Sequence, residues 1–202
     1  MPARIVVLAS GTGSLLQALI EATRTEGYPA TIVAVGVDRD CAATDHADAA
    51  DVAHFKVSLR DHADRAAWDV ALTEAVSAHE PDLIVSAGFM KILGPAFMER
   101  FAGRIINTHP ALLPSFPGAH AVRDALAYGV RVTGSTVHLV DGGVDTGPIL
   151  AQEPVEVLDG DDEAALHERI KNVERRLLAE IVAAVALRGV VSDGRKAVIP
   201  SE

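Results

Sequence analysis

A segment from Arg104 to Gly118, RIINTHPALLPSFPG, places an amide and an imidazole close together in an apolar, proline-rich run. Asn107 and His109 are two residues apart, so in an extended segment their side chains point to the same side. An amide N–H can stabilise a developing oxyanion, and an imidazole can carry a proton near neutral pH. The pair therefore suits addition to a carbonyl group, at a site that the following prolines would stiffen. A rigid turn with a hydrogen-bonded histidine is the alternative interpretation.

A glycine-rich loop, VDGGVDTGPIL from Val140 to Leu150, adds two carboxylates, Asp141 and Asp145. A carboxylate in contact with His109 would favour the charged form of that imidazole. The spacing of the residues neither establishes this contact nor chooses between the two aspartates.

A second glycine-rich segment, SGTGS at Ser10–Ser14, lies between a predicted strand and a predicted helix. Backbone N–H groups and the helix dipole at such a turn can hold a phosphate group. The dinucleotide fingerprint G-x-G-x-x-G fails because Leu16 occupies the third glycine position, although Asp38 ends the next predicted strand, where a ribose-binding acid would lie. Phosphate binding and a plain tight turn both remain open at this point.

The elements that would position these residues alternate along the chain. Short β-branched apolar runs predict strands buried on both faces, and the stretches between them predict helices. This alternation indicates an α/β fold with a Rossmann-like, doubly wound, mostly parallel sheet and helices on both faces. The predicted strands are Ile5–Ala9, Thr31–Val37, Leu83–Ala87, Arg104–Asn107, Thr133–Val140 and Pro148–Val157. The predicted helices are Leu15–Thr23, Ala42–Asp51, Asp64–His79, Gly94–Arg100, Ala121–Tyr128 and Asp162–Leu187.

The last third of the chain follows a different pattern. The strand from Thr133 alternates as if one of its faces met water, and the strand after it is predicted to be irregular or at a sheet edge. Asp162–Leu187 carries apolar residues at helical spacing and predicts one long amphipathic helix. A small hairpin is predicted around Asp193 and Gly194.

The composition argues against several classes of partner. A chain of 202 residues, 49% of them hydrophobic, fits one globular domain. The net charge of −10 and the pI near 5.2 disfavour nucleic acids and anionic membranes, because both are bound by basic surfaces. The single Cys41, interpreted as free and buried, favours a reducing cytoplasm, and no histidine or cysteine spacing indicates a metal site. Small molecules are the expected partners. The sequence does not distinguish a monomer from a homodimer.

Taken together, the motifs resemble those of one enzyme family. NTHPALLPSFPG followed by DGGVDTGPIL, with SGTGS near the N-terminus and AGFMKIL between them, is similar to the 10-formyltetrahydrofolate-dependent formyltransferases over nearly the whole chain. Within that family, the resemblance is to enzymes that formylate glycinamide ribonucleotide in purine synthesis. It implies a single formyltransferase domain over 1–202. A phosphate-binding half would cover about 1–100, and a folate-binding and catalytic half with the long helix about 101–202.

The resemblance also implies roles for individual residues. Asn107 would donate to the formyl oxygen, His109 would donate a proton, and Asp145 would keep His109 protonated and oriented. The ribonucleotide would be bound by Gly13, Ser14, Leu15 and Glu174. The folate would contact Arg65, Met90, Lys91, Ile92, Leu93 and Asn107. Leu15 and Lys91 stand where relatives carry Asn and Arg, so a side-chain contact and a bidentate fork would be lost there. His120 and His138 are interpreted as packing or supporting residues, and no metal is expected.

Two alternatives to this function remain. The first keeps the fold and changes the acceptor: a formyltetrahydrofolate hydrolase, or a formyltransferase acting on methionyl-tRNA or a nucleotide sugar. Such relatives usually carry an extra domain, for which 202 residues leave no room. The second is a non-catalytic nucleotide-binding domain with a Rossmann-like sheet, which would leave Asn107, His109 and Asp145 without a role.

Overall fold

The computed structural model describes residues 1–201. The strands are β1 (Ala3–Ala9), β2 (Ala30–Val37), β3 (His54–Lys56), β4 (Leu83–Ser86), β5 (Ile105–His109), β6 (Val132–Leu139), β7 (Ile149–Glu156), β8 (Val191–Ser192) and β9 (Ala197–Val198). The helices are α1 (Ser14–Thr23), α2 (Ala43–Ala49), α3 (Arg65–Ser77), α4 (Pro95–Phe101), α5 (Ala121–Tyr128) and α6 (Glu163–Arg188), with a short 3-10 helix at Leu59–Asp61. None of the helices in this described range combines the length and the apolar character needed to cross a bilayer.

Seven strands form one sheet in the order β3-β2-β1-β4-β5-β6-β7. β1 pairs in parallel with β2 and β4, and β2 pairs in parallel with β3, whereas β6 and β7 are antiparallel. The predicted α/β fold with a mostly parallel sheet is therefore confirmed. The edge position of β7 and the predicted hairpin, formed by β8 and β9, are also confirmed. The chain divides into two compact units, Met1–Ile106 and the part from Asn107 onward.

In the first unit, the central strand β1 is fully buried from Ile5 to Ala9. Helices α1 and α2 pack on β2. Because β1 and β4 are parallel, the loops that follow them leave the same edge of the sheet, and the Met90 N–H donates to Ser10 Oγ at 2.8 Å. Strand β3 escaped prediction because it has only three residues, HFK, two of which are exposed. The first unit thus joins the Ser10–Ser14 loop to the segment that begins at Met90.

In the second unit, helix α6 packs on β6 and β7. A core cluster is formed by Val122 of α5, Val155 of β7, and Leu166 and Ile170 of α6. Thr133 of β6 lies directly opposite Val155, so the odd-numbered residues of β6 share the face that α6 covers.

The prediction that one face of β6 meets water is wrong. Every residue of the strand after Val132 is buried. The reason is that the chain after β5 covers the other face: the Leu113 N–H donates to Thr136 Oγ1 at 3.1 Å, and this hydroxyl donates to the Ala111 carbonyl at 2.7 Å. Thr136, on that face, therefore bonds to a covering loop and not to solvent.

Candidate active site

The side chain of Asn107 is oriented by His138, a buried histidine of strand β6. Asn107 Nδ2 donates to His138 Nε2 at 3.1 Å, and His138 Nδ1 donates to the Leu139 carbonyl at 2.8 Å. Burial lowers the pKa of His138 and outweighs the opposing effects of the Leu139 carbonyl and nearby carboxylates, so the ring is neutral. A neutral ring with a proton on Nδ1 has its acceptor at Nε2, which fixes the orientation of the Asn107 amide.

The ring of His109 lies between two oxygen acceptors. His109 is buried, with 4% of its surface exposed. Its Nε2 donates to the Phe116 carbonyl at 2.7 Å, and its Nδ1 lies 3.3 Å from Asp145 Oδ2. Neither a carbonyl nor a carboxylate can donate, so only an imidazolium supplies an N–H to both partners. The geometry therefore suits a histidine that holds two protons.

Asp145 makes the contact with His109 that the sequence left open. Its Oδ2 also accepts from the Gly118 N–H at 2.7 Å, and its Oδ1 lies 3.7 Å from His138 Nε2. Asp141, by contrast, is bound within its own loop, accepting from the Gly143 N–H at 3.0 Å and from the Thr146 hydroxyl at 2.6 Å. The structure thus distinguishes the two aspartates: Asp145 faces the histidines, and Asp141 shapes the loop.

A side chain that sequence reasoning missed holds the loop after β5 in place. Gln152 Nε2 donates to the Leu113 carbonyl at 2.8 Å and to Thr136 Oγ1 at 3.0 Å. Gln152 and Thr136 face each other across β6 and β7. Thr136 is buried, so its hydroxyl needs a hydrogen-bond partner in the interior, whereas Gln152 is exposed and no sequence signal marked it.

Gly147 closes the loop that carries Asp145. A Cβ at this position would lie 1.8 Å from the Leu139 carbonyl oxygen, far inside contact distance. The Leu139 N–H donates to the Pro148 carbonyl at 2.9 Å, so the ends of the loop are bonded next to this close approach. A side chain here would force the loop away from β6.

Thr108 connects the opposite face of β5 to Glu174. Because it lies between Asn107 and His109, its side chain points to the other face of the strand. Its hydroxyl donates to Glu174 Oε1 at 2.9 Å. Glu174 is only 3% exposed, so its carboxyl is not a solvated charge on the helix surface. Burial raises the pKa of Glu174 to about 7, against the weaker, lowering effect of the Thr108 bond.

The Glu174 carboxyl should make the stability of the protein depend on pH. A folded-state pKa of about 7, above the usual 4.5, means that the folded protein binds a proton that the unfolded chain releases between these values. The free energy of unfolding should therefore fall by up to about 3 kcal/mol as pH rises from about 4.5 to about 7. Above about pH 7 this contribution should stay constant. Glu174→Gln keeps the acceptor for Thr108 and removes the charge. Urea unfolding should find this variant more stable than wild type at pH 8, with a much smaller difference at pH 5; the same difference at both would contradict the assignment.

In the first unit, Gly13 shapes the turn before α1. It has a left-handed φ of 73°, and a Cβ there would lie 2.8 Å from His46 Cδ2. His46 Nε2 donates to the Thr12 carbonyl at 3.1 Å. The helix begins at Ser14 with no side-chain cap and no acidic residue in its first turn, and its backbone bonds start at Gln17 N–H to the Gly13 carbonyl. The N–H groups of the first turn therefore point out of the helix terminus, as an anion site requires.

The segment from Met90 to Leu93 is exposed and is anchored by two charged residues. Met90 and Ile92 are 70% and 60% exposed. The Arg65 guanidinium donates to the Ile92 carbonyl, which brings together two residues that the resemblance assigned to folate. Lys91 and the half-buried Leu93 lie in the same segment, whereas Asn107, also assigned to folate, lies on β5.

Lys91 is held by a buried acid. Its Nζ lies 3.7 Å from Asp38 Oδ2, and Arg39 Nη2 donates to the same oxygen at 2.8 Å. Burial alone would raise the pKa of Asp38, but hydrogen bonds from Arg39 and Ser10 and the charges of Arg39 and Lys91 lower it. Asp38 is thus ionised, and it fixes the ammonium group of Lys91 beside the Met90–Leu93 segment.

Two minor expectations need correction. Cys41 is half-buried and not buried, because it lies just before the short helix α2 at the edge of a loop. His120 does not pack: it is exposed at the N-terminus of α5. Within residues 1–201, no group of three or more histidines, cysteines or acids is arranged to hold a metal ion.

Comparisons with known proteins show the family of the chain. A model of the formyl transferase family matches residues 3–182. The chain is 67% identical over 196 residues to a phosphoribosylglycinamide formyltransferase of Mycobacterium tuberculosis, covering 97% of this chain and 91% of the relative. Glycinamide ribonucleotide transformylase 1 from Symbiobacterium toebii superposes with a TM-score of 0.96 at 39% identity, covering 99% of this chain and 95% of that one. A formyltetrahydrofolate deformylase from Pseudomonas syringae superposes with a TM-score of 0.92 at 26% identity, covering all of this chain and 67% of that one.

Proposed function

Because the chain belongs to the formyl transferase family, we propose that it transfers the formyl group of 10-formyltetrahydrofolate to the amine of glycinamide ribonucleotide in purine biosynthesis. The observation that carries this proposal within the structure is the contact of His109 with Asp145, beside an Asn107 whose amide is oriented by His138. These are the groups that formyl transfer needs. The substrate amine is itself the nucleophile, so no serine or cysteine nucleophile is required.

Asn107 would act on the formyl oxygen. An amide nitrogen carries two hydrogens, of which His138 accepts one. The other would donate to the formyl oxygen as the substrate amine adds to the carbonyl carbon and negative charge develops there. Because His138 fixes the amide, this donor needs no reorganisation as the charge appears.

His109 would move the proton. As the tetrahedral intermediate collapses, the bond from the formyl carbon to the folate nitrogen breaks and that nitrogen gains a proton, while the attacking amine loses one. Both ring nitrogens of His109 face oxygen acceptors in the structure, so donation requires one of these contacts to open. The Phe116 carbonyl is the contact we expect to open, because it is a neutral acceptor, whereas the Asp145 carboxylate is held to the ring by opposite charge.

The ribonucleotide would be bound by the glycine-rich turn before α1. The phosphate of the ribonucleotide would accept from backbone N–H groups at Gly13, Ser14 and Leu15, where no acidic side chain competes. Glu174 is proposed to face the ribonucleotide.

The folate is proposed to contact the apolar side chains of Met90, Ile92 and Leu93, with Arg65 and Lys91 attracting its carboxylates. Because the ammonium group of Lys91 already lies beside the Asp38 carboxylate, we expect Lys91 to contribute less to folate binding than Arg65.

The support that His138 gives to Asn107 is testable. His138→Ala removes the acceptor that orients the amide, and kcat should fall about tenfold while KM changes little, as for a loss of order 1.4 kcal/mol in the transition state. His138→Gln offers a carbonyl acceptor and should recover part of the rate. Steady-state kinetics with both substrates measures the split. Equal kcat for wild type and His138→Ala would show that Asn107 needs no such support.

A second function is favoured by one comparison. The superposition on a formyltetrahydrofolate deformylase favours, as the second candidate, a reaction in which water replaces the amine as acceptor. Initial rates with the purified chain, the formyl donor and either glycinamide ribonucleotide, methionyl-tRNA or no added acceptor separate these functions. We expect turnover of the formyl donor only when glycinamide ribonucleotide is the acceptor. Formate release at the same rate without an acceptor would favour the hydrolase, and no turnover of the donor at all would contradict both.

A further inference from the structure

The hairpin of β8 and β9 reaches the loop that carries Asp145. Arg195, in the turn of this hairpin, donates from Nη1 to the Thr146 carbonyl at 3.1 Å and from Nη2 to the Gly147 carbonyl at 3.5 Å. These carbonyls belong to the two residues that directly follow Asp145. Strand β9 also packs against β7. The hairpin is thereby attached to the loop next to the residue that presents its carboxylate to His109.

The backbone of Arg195 is itself fixed. Asp193 Oδ1 accepts from the N–H groups of Arg195 and Lys196, at 2.8 and 2.6 Å. The Asp193 N–H donates to the Lys196 carbonyl at 3.1 Å, and the Ser192 hydroxyl donates to the same carbonyl at 2.9 Å. A turn bonded in this way presents the guanidinium from a defined position, so its bonds to the loop constrain the loop.

The loop needs such a constraint at this point. Asp145 has a φ of 54°, in the left-handed region, which an aspartate adopts only at a cost that its surroundings must offset. Within the loop, the bond from the Thr146 hydroxyl to Asp141 contributes, and the Gly118 N–H holds the carboxylate from the other side. Arg195 adds bonds to the backbone that follows, from an element outside the loop.

We infer that Arg195 is a positioning residue for Asp145: the β8–β9 hairpin holds the Val140–Leu150 loop so that the Asp145 carboxylate stays against His109. This inference rests on the proposed formyl transfer. A displacement of a catalytic group by about 1 Å can reduce turnover by up to about 100-fold. An exposed anchor that shares the task with other bonds should have a smaller effect, of about 5- to 20-fold.

Arg195→Ala in the 202-residue chain tests the inference, with Lys196→Ala as the matched control. Both variants remove one positive charge from the same turn, but the Lys196 bonds that hold the hairpin are made by its backbone. Arg195→Ala should lower kcat about 5- to 20-fold, with KM for the ribonucleotide within about twofold, whereas Lys196→Ala should match wild type. Arg195→Lys, which restores one donor, should recover part of kcat.

Amide hydrogen exchange supplies a readout that does not depend on activity. Peptides covering 140–148 should exchange faster in Arg195→Ala than in Lys196→Ala, while peptides covering 105–109 and 132–138 stay unchanged. Equal kcat and equal exchange in the two variants would overturn the inference. If wild type itself forms no formylated ribonucleotide, the proposed function fails, and the exchange experiment still decides whether Arg195 holds the loop.

Discussion

Replacing His109 by asparagine should lower kcat for formyl transfer by about 10²- to 10⁴-fold, the range measured when a general acid or base is removed. The asparagine amide can still donate a hydrogen bond to the Phe116 carbonyl or to Asp145, but it cannot act as a proton donor to the substrate. KM should change much less than kcat, because His109 acts on charge that develops in the transition state. Steady-state assays of the purified variant measure this split.

His120 provides the control for this experiment. It is exposed at the N-terminus of α5, and His120→Asn makes the same chemical change away from the cluster. We expect the turnover of His120→Asn to equal that of wild type. We expect His109→Asn and His120→Asn to unfold thermally at the same temperature. If His109→Asn kept a third or more of the wild-type turnover, His109 could not be the proton donor.

Asp145→Asn should reduce kcat by about 100-fold or more with little change in the fold. The asparagine oxygen can accept from the Gly118 N–H as Asp145 does, so the loop keeps this bond. What is lost is the negative charge 3.3 Å from His109 Nδ1, which stabilises the doubly protonated ring. Without that charge, His109 loses its ion-pair partner and the orientation that this partner imposes on the ring.

The same substitution at Asp141 distinguishes an effect of the Asp145 charge from an effect of the loop conformation. Asp141 accepts from the Gly143 N–H and the Thr146 hydroxyl, and an asparagine oxygen can accept both. Asp141→Asn should therefore retain turnover within about threefold, since no charged contact with His109 is lost. Comparable losses at both positions would mean that the loop conformation, and not the Asp145 charge, limits the reaction.

The fold could be predicted from the sequence because its signals are local. Apolar runs such as those of β1 and β4 indicate buried parallel strands, and the spacing in α6 indicates a long amphipathic helix. The three-residue strand β3 has no such pattern, and it forms because β2 offers an edge for pairing. The sequence of β6 misled for a related reason: periodicity tells which residues share a face, but not what covers that face.

The candidate site was predictable where chemistry is carried by residue type and spacing. The positions of Asn107 and His109 on one strand predict that they lie together, whereas the contact with Asp145 depends on a loop from elsewhere in the chain. His138, Gln152 and Arg195 acquire their roles only from contacts across long sequence separations. For such residues, buried or bonded polar groups become informative once the fold is known.

The fate of the formyl carbon tests the central claim most directly. The purified chain is incubated with 10-formyltetrahydrofolate labelled at that carbon, with and without glycinamide ribonucleotide, and the label is quantified in formylated ribonucleotide and in formate. Formyl transfer through the Asn107, His109 and Asp145 cluster predicts label in the ribonucleotide, dependent on that acceptor and reduced about 100-fold or more in Asp145→Asn. Label recovered as formate whether or not the ribonucleotide is present, or a transfer rate unchanged in Asp145→Asn, would contradict it.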